Sequence, residues 1–562
     1  MKLSRRDLLV WSAGAAAGLL ATPVPWKILD DTSIWSQNWP WIPQPARCPV
    51  ETRQSVCTLC PKGCGLRVRM AGGWAVGVAG LNTHPLSRGA LCPLAYAAHQ
   101  LNWHPQRLRV VQHRTNPSSW EQARAAFAKA SKEGPVVIID GYPGRAASAL
   151  FETYTEGRDG NYCVVPSPEI RALTPYESWT GVPAHCLGYD LENTRTIVSF
   201  GAPLLDGWGT PGRFTRIWAD RAAGRSDPEL RLIQIDSSLS RTAARAWRWV
   251  RSREGTHAAL ASGLARALLE QNLVPAHGPI PATTLAESAV QCDISMEAIL
   301  ELGRSLVAKS PTLVIARDDS PAIAALNVLL GSVGARGGVV RHSQHSNLRS
   351  YTGSDVQNAR AVLIDSSVPW NFMPQTDAEV FRFAAWHGAS TKADWLLPAP
   401  GFLEELTDVP TPPASSLASY AVAPPLVKSA TEVHSAAQFL SSIDARLIPT
   451  EKMIYTRCED LFRRRAGTVH AHSAIPISEL ASVQKLVEQL WQGAVWVGEP
   501  SPDKLRCRLQ EWPSATRSSP PDDGITDWIP PVMPALASKL YVESTLREAA
   551  ERRKAWAPAT AW

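Results

Sequence analysis

The stretch Cys57-Thr-Leu-Cys60-Pro-Lys-Gly-Cys64-Gly65 runs on as Leu-Arg-Val-Arg-Met, and the chain returns at Gly89-Ala-Leu-Cys92-Pro93. Three thiols within eight residues, joined by a fourth from the returning chain, suit the corners of a cuboidal [4Fe-4S] cluster, whose four irons each take one thiolate. A structural zinc also takes four cysteines, but usually as two separated pairs, and the grouping here is three plus one. Disulfide frameworks belong to small chains with poor cores. Cys57, Cys60, Cys64 and Cys92 therefore read as the metal ligands of an iron–sulfur cluster, ahead of zinc. Gly63, Gly65 and Gly89 let the backbone pass close to such a cluster and turn N–H groups toward its sulfides.

The chain has 562 residues, 45% of them hydrophobic and 19% charged, which is too long for one core and predicts three or four packed units. A net charge of +6 is mild at this length, and no long basic run with interleaved aromatics appears, so no nucleic acid is expected as a partner. The 45 prolines and 22 tryptophans predict stiffened connections and large aromatic contacts, in the core or at partner surfaces.

Residues 1–46 read as an address and a tether. Arg5-Arg6 stand directly before an apolar, Ala/Gly-rich segment from Leu8 to Ala21, which Pro23 and Pro25 close. That is the pattern of a twin-arginine export signal. The apolar run, about fifteen residues, is shorter than the roughly twenty that cross a bilayer. Export of folded cargo suits a metal site that forms together with the fold. No clean small-x-small cleavage site follows, which leaves the segment a candidate anchor. Trp26, Trp35, Trp39 and Trp41, set among prolines, read as an extended arm.

Beyond the cysteines, short apolar runs bounded by Gly, Pro or Asp recur at Val136–Asp140, Thr196–Phe200, Arg231–Asp236, Thr312–Ala316 and 361–365. Helical stretches separate them, and Ser119 before Trp120-Glu121-Gln122 reads as a helix N-cap. Buried parallel strands in βαβ units, an α/β doubly wound architecture in two units, are predicted.

The cysteine stretch, with Gly65-Leu-Arg-Val-Arg69 after its third thiol and Thr83-His84-Pro85-Leu-Ser-Arg88-Gly89 before its fourth, resembles the N-terminal iron–sulfur domain of the molybdopterin oxidoreductase family. His104-Pro105-Gln-Arg107-Leu108 resembles the exit from that domain. Asp236 to Ala243, continuing to Leu260, resembles a segment that cradles one pterin dinucleotide. Ala325 to Gly338 and Ala393 to Glu404 resemble later pieces. The resemblance implies an N-terminal iron–sulfur domain followed by two interleaved doubly wound α/β domains. Its segments would be 1–46 signal and arm; 47–105 cluster domain; 106–160 with 331–445 the first α/β domain; 161–330 the inserted α/β domain; and 446–562 a C-terminal extension, with the family's C-terminal barrel absent or degenerate.

Departures from the family pattern bear on function. Leu94 stands two residues after the fourth cysteine, where active members carry a lysine between cluster and pterin. Ser237-Ser238 follow Asp236 in place of Pro-Arg, removing a guanidinium that matches phosphate bidentately. His257 replaces an aspartate that would accept two N–H bonds from guanine. Phe200-Gly201-Ala202-Pro203 puts a residue without an amide donor where a polar one is common. Cys163 and Ser167 are the candidates for a molybdenum ligand, and Cys163 reads better as a buried structural cysteine.

Ser199 to Trp208, Leu403 to Pro413 and Lys539-Leu-Tyr-Val-Glu543-Ser resemble the cofactor-less molybdopterin-like subunits of quinone reductase complexes and alternative complex III. The resemblance implies an electron-transfer and scaffold subunit carrying one [4Fe-4S] cluster, without molybdopterin guanine dinucleotide, on the periplasmic side of the inner membrane. It implies as partners a ferredoxin-like iron–sulfur subunit, an integral-membrane quinone-binding subunit and a multihaem cytochrome. The alternative is an active molybdenum or tungsten bis-pterin oxidoreductase with an unrecognised ligand. His342 and His345 with Arg341 and Arg349 read as a solvated loop. Glu404 and Glu405 read as capping or surface groups, no pocket being visible around them. Cys48, Cys186, Cys292, Cys458 and Cys507 have no ligand-like spacing.

Overall fold

The computed structural model describes residues 4–29 and 49–514, apart from 206, 210, 225–226, 276–278, 343–347, 370–371, 388–392, 472 and 500–504. Trp35, Trp39, Trp41, Cys48, His345 and the 539–544 stretch lie outside the described residues.

The N-terminal segment is helical. Ser4 caps the helix Arg5–Ala21: its Oγ accepts the Asp7 N–H at 3.2 Å, and the Asp7 carboxylate accepts the Ser4 N–H at 3.1 Å. After a turn at Thr22 the helix resumes, because proline is tolerated in a first helical turn. The whole run Arg5–Leu29 is 25 residues, longer than the apolar stretch suggested. It has the length and composition of a membrane-crossing helix, a test that signal sequences also pass.

Strands β1 (Val50–Val56), β2 (Gly65–Ala71) and β3 (Trp74–Gly80) form a small sheet in that order. β4 (Gln112–His113), β5 (Asn116–Pro117), β6 (Val136–Asp140) and β7 (Asn161–Val164) open a second sheet. Before it is completed the chain runs through β8 (Leu187–Tyr189), β9 (Thr196–Phe200), β10 (Arg231–Asp236), β11 (Arg248–Arg251) and β12 (Thr312–Ala316). The last four are a parallel sheet in the order β11-β10-β9-β12. β13 (Val339–Arg341) pairs back on β8. β14 (Ala361–Ile364), β15 (Glu379–Ala384) and β16 (Trp395–Pro398) then complete the second sheet, in the order β5-β4-β16-β15-β14-β6-β7.

Every apolar run expected to be a strand is one. β6 shows why: Val136 and Ile138 enter one hydrophobic cluster while Val137 and Ile139 enter another, so both sheet faces are covered and alternation disappears from the sequence. The helix Trp120–Glu133 begins at Ser119 with a capping box closed by Gln122.

Residues after 400 hold more structure than their sequence announces. β17 (Thr407–Val409), β18 (Ser419–Ala423), β19 (Thr468–His470), β20 (Ala474–Pro476) and β21 (Val495–Val497) make a five-stranded antiparallel sheet, packed with the helices Thr450–Arg464 and Val483–Trp491. Four of these strands are three residues long, too short for a period to register, and the helix Thr450–Arg464 is largely polar with only Ile454 and Cys458 buried.

Candidate metal centre and the crevice beside it

The loop 57–64 is the β1–β2 connection, and the Cys57 N–H donates to the Cys64 carbonyl at 2.8 Å to close it. The returning chain is tied to it through Ser87, whose Oγ accepts the Gly65 N–H at 3.2 Å and lies 3.1 Å from His84 Nδ1. Burial holds His84 near a pKa of about 3, so its ring is neutral. Gly89 sits at φ +85°, and a Cβ there would fall 2.1 Å from Asn82 Oδ1. Only glycine brings Cys92 back by this path.

Cys57, Cys60, Cys64 and Cys92 are all unpaired, and each of the other three thiols is felt at Cys57. Burial pushes the Cys57 and Cys64 thiols far up and Cys60 up to about 12, with mutual repulsion adding to it. Backbone N–H groups oppose that rise, donated by Leu59 to Cys57, Lys62 to Cys60 and Gly212 to Cys64. Cys57 and Cys64 are buried and Cys60 and Cys92 half-buried, and thiols crowded in this way are favoured as thiolates by a bound cationic centre. The donor set and its N–H groups fit an iron–sulfur cluster.

Sequence reading missed Gly212, Lys62 and Glu169. Gly212, in the first turn of the helix Pro211–Arg221, belongs to a distant segment; a Cβ there would lie 3.3 Å from Cys64 Sγ and 2.6 Å from the Ala90 carbonyl. Lys62 is buried against Glu169 in an ion pair.

Residues 50–102 match the family model described as the molybdopterin oxidoreductase Fe4S4 domain. This chain carries that domain. Among relatives, the menaquinone reductase molybdopterin-binding-like subunit of Nitratidesulfovibrio vulgaris is 33% identical over 365 residues, covering 60% of this chain and 52% of its own length. The thiosulfate reductase molybdopterin-containing subunit PhsA of Salmonella typhimurium is 23% identical over 376 residues, covering 59% and 48%. The chain thus spans about half the length of these curated relatives. The solved acetylene hydratase from Pelobacter acetylenicus superposes with a TM-score of 0.59 at 12% identity, covering 80% of this chain and 74% of that one, which shows a shared fold.

A cavity of about 230 Å³ opens between the Fe4S4 domain's Cys60-Pro61 and the carboxyl ends of β6, β7, β14 and β15, where open α/β sheets bind ligands. Ser167 Oγ and Tyr142 OH, both buried at its wall, have no hydrogen-bond partner. Glu405 also lines it, so the expectation of no pocket is corrected; desolvation raises Glu405 to about 7, opposed by a Ser435 hydrogen bond. Glu404 is no surface group either. Its carboxylate is buried 2.6 Å from Arg107 and accepts the Gly401 N–H at 2.7 Å.

Beside this cavity lies the switch point of the seven-stranded sheet, where β6 is flanked by β7 on one side and β14 on the other. The chain fills it with its own charge. The Arg145 guanidinium reaches Asp140 at the end of β6 (2.8 Å) and Asp365 just past β14 (2.9 Å). The N-terminus of the helix Ala146–Glu156, a ready anion site, is taken by the carboxylate of Asp408, 2.8 and 3.0 Å from the Ala146 nitrogen. Arg457 holds Asp408 at 2.9 Å and donates to the Arg145 carbonyl at 2.8 Å. At the second switch point, between β9 and β12, His257 packs edge-on to Phe200 and within 2.9 Å of where a Gly201 Cβ would stand. Its Nε2 is buried without a partner, and desolvation keeps the ring neutral. The first crevice is thus occupied by the chain's own paired charges, and the second by a buried imidazole beside Gly201.

Cys163 lies fully buried in the core on β7, raised to about 12 by burial, and does not line the cavity; Ser167 does. His342 is buried rather than solvated. Arg349 binds Asp355 and, at 3.1 Å, Asn161, yet its side chain stays more than half exposed, as expected of a solvated loop. Cys186, Cys292 and Cys458 are buried and Cys507 is half-buried.

Proposed function

We propose that this chain is an electron-transfer and scaffold subunit of a membrane-associated, quinone-linked oxidoreductase complex, holding one [4Fe-4S] cluster on Cys57, Cys60, Cys64 and Cys92 and no molybdopterin. The cluster supplies one-electron transfer; the chain's part is to bury it, donate N–H groups to its ligands and exclude water. The observation that carries the cofactor-less reading is the switch point closed by Arg145 between Asp140 and Asp365, with Asp408 on the adjoining helix N-terminus.

Likeness to a menaquinone reductase subunit supports a quinone-linked complex. The partners would be a ferredoxin-like iron–sulfur subunit, an integral-membrane quinone-binding subunit and a multihaem cytochrome. The Arg5-Arg6 helix would deliver the folded chain to the periplasmic side by the twin-arginine route. A second reading draws on the cavity and on Ser167 Oγ at its wall: a molybdenum or tungsten bis-pterin enzyme with a serine ligand.

Elemental and pterin analysis of the chain purified with its metal decides between them. About four irons per chain with no molybdenum, tungsten or oxidised-pterin fluorescence is expected. Stoichiometric molybdenum with pterin would overturn the scaffold reading.

A further inference from the structure

Lys62 lies inside the cysteine loop, two residues from both Cys60 and Cys64, and is only 3% exposed. An ammonium without water needs a partner. It finds Glu169, 107 positions along the chain, with side-chain exposures of 4% and 3% for the pair. Glu169 Oε1 also accepts the Gly209 N–H at 2.6 Å, while its Oε2 is buried with no hydrogen-bond partner. The pair therefore sits where charges are poorly screened. Both charges are felt at the Cys60 sulfur, in opposite senses. Leu94, two residues past Cys92, brings no charge from the other side of the loop.

We infer that the Lys62–Glu169 ion pair sets the reduction potential of the cluster, resting on the assignment of the four cysteines as its ligands. One-electron reduction by an outside donor adds one negative charge to the cluster and breaks no bond. A buried ammonium two residues from two ligands favours that added charge, and a buried carboxylate beside it opposes it. Gly209, by holding Glu169, fixes how much of the ammonium's field reaches the cluster. Lys62 and Glu169 touch no substrate and act as tuning residues.

The test is an EPR-monitored redox titration of the cluster-loaded full chain in four forms: wild type, Lys62→Met, Glu169→Gln and the double variant. Iron and sulfide are measured in each. The midpoint is expected to fall in K62M, rise in E169Q, and lie between the two in the double variant; K62R, which keeps the charge, should stay near wild type. A purely structural role would not produce opposite shifts. Coincident midpoints, or shifts of the same sign in K62M and E169Q, overturn the inference. Should K62M fail to retain iron, E169Q alone decides: an unchanged or lowered midpoint overturns it. Wild-type protein without iron or a cluster signal would instead sink the ligand assignment.

Discussion

Asp408 Oδ1 lies 2.8 Å from the Ala146 nitrogen, so a carboxylate of the C-terminal sheet occupies the helix N-terminus that an open α/β sheet offers to a phosphate. The same carboxylate is 1% exposed and paired with Arg457. Replacing it by alanine uncaps the helix and removes one partner of Arg457, which keeps the Gly144 and Arg145 carbonyls and part of its exposure to water. Asp408→Ala is expected to destabilise the chain by about 1–3 kcal/mol, read by chemical denaturation, because a helix cap and the buried carboxylate's hydrogen bonds are lost. A loss under about 1 kcal/mol would mean the carboxylate is not holding the crevice shut.

Arg145 gives a pH signature. Burial raises the Asp140 carboxyl, but Arg145 and the N–H and hydroxyl donors around it more than offset this and hold it below the usual carboxylate range. A depressed folded pKa contributes stability above the unfolded value and loses it as pH falls through the folded one. In Arg145→Met the desolvation is opposed by less, and the folded pKa moves up. The variant should therefore be most destabilised near pH 7, with the gap to wild type narrowing as pH falls toward 4. Urea unfolding at pH 7, 5.5 and 4 checks it; a constant gap would contradict the assigned charge network.

Gly89→Ala places a Cβ 2.1 Å from Asn82 Oδ1 on a backbone at φ +85°. Strain of this sort costs of order 1–3 kcal/mol, and it falls on the segment that delivers Cys92. Iron per purified chain should drop well below the wild-type value. Full iron retention would show that the fourth thiol does not depend on this turn.

Two cysteines should behave oppositely. Cys60→Ser is expected to lose cluster absorbance and iron, because its sulfur stands in the loop with Cys57 and Cys64 and close to Cys92 of the returning chain. Cys163→Ala empties a small volume in a packed core and should cost about 1–2 kcal/mol in unfolding experiments while leaving iron content unchanged. Loss of metal from Cys163→Ala would bring that thiol back as a ligand.

The sequence by itself determined the elements whose cause is local. Three plus one thiols marked the loop 57–64 and the returning segment as one unit, and Ser87 ties the two together. Apolar runs such as Val136–Asp140 and Thr312–Ala316 announced strands with the bounds they have, since parallel strands are buried on both faces. Ser119 announced its helix through a cap that spans three residues. The tertiary structure decided everything that depends on charges meeting across the chain. Asp140 and Asp365 end two predicted strands, a visible hint, yet only the sheet order sets them on either side of Arg145. Asp408 comes from a three-residue strand and Arg457 from a polar helix, neither with a pattern to read. Lys62 finds Glu169 over 107 positions. A buried ion pair leaves no periodicity in sequence; its partners are chosen by which segments the fold presses together once water is gone.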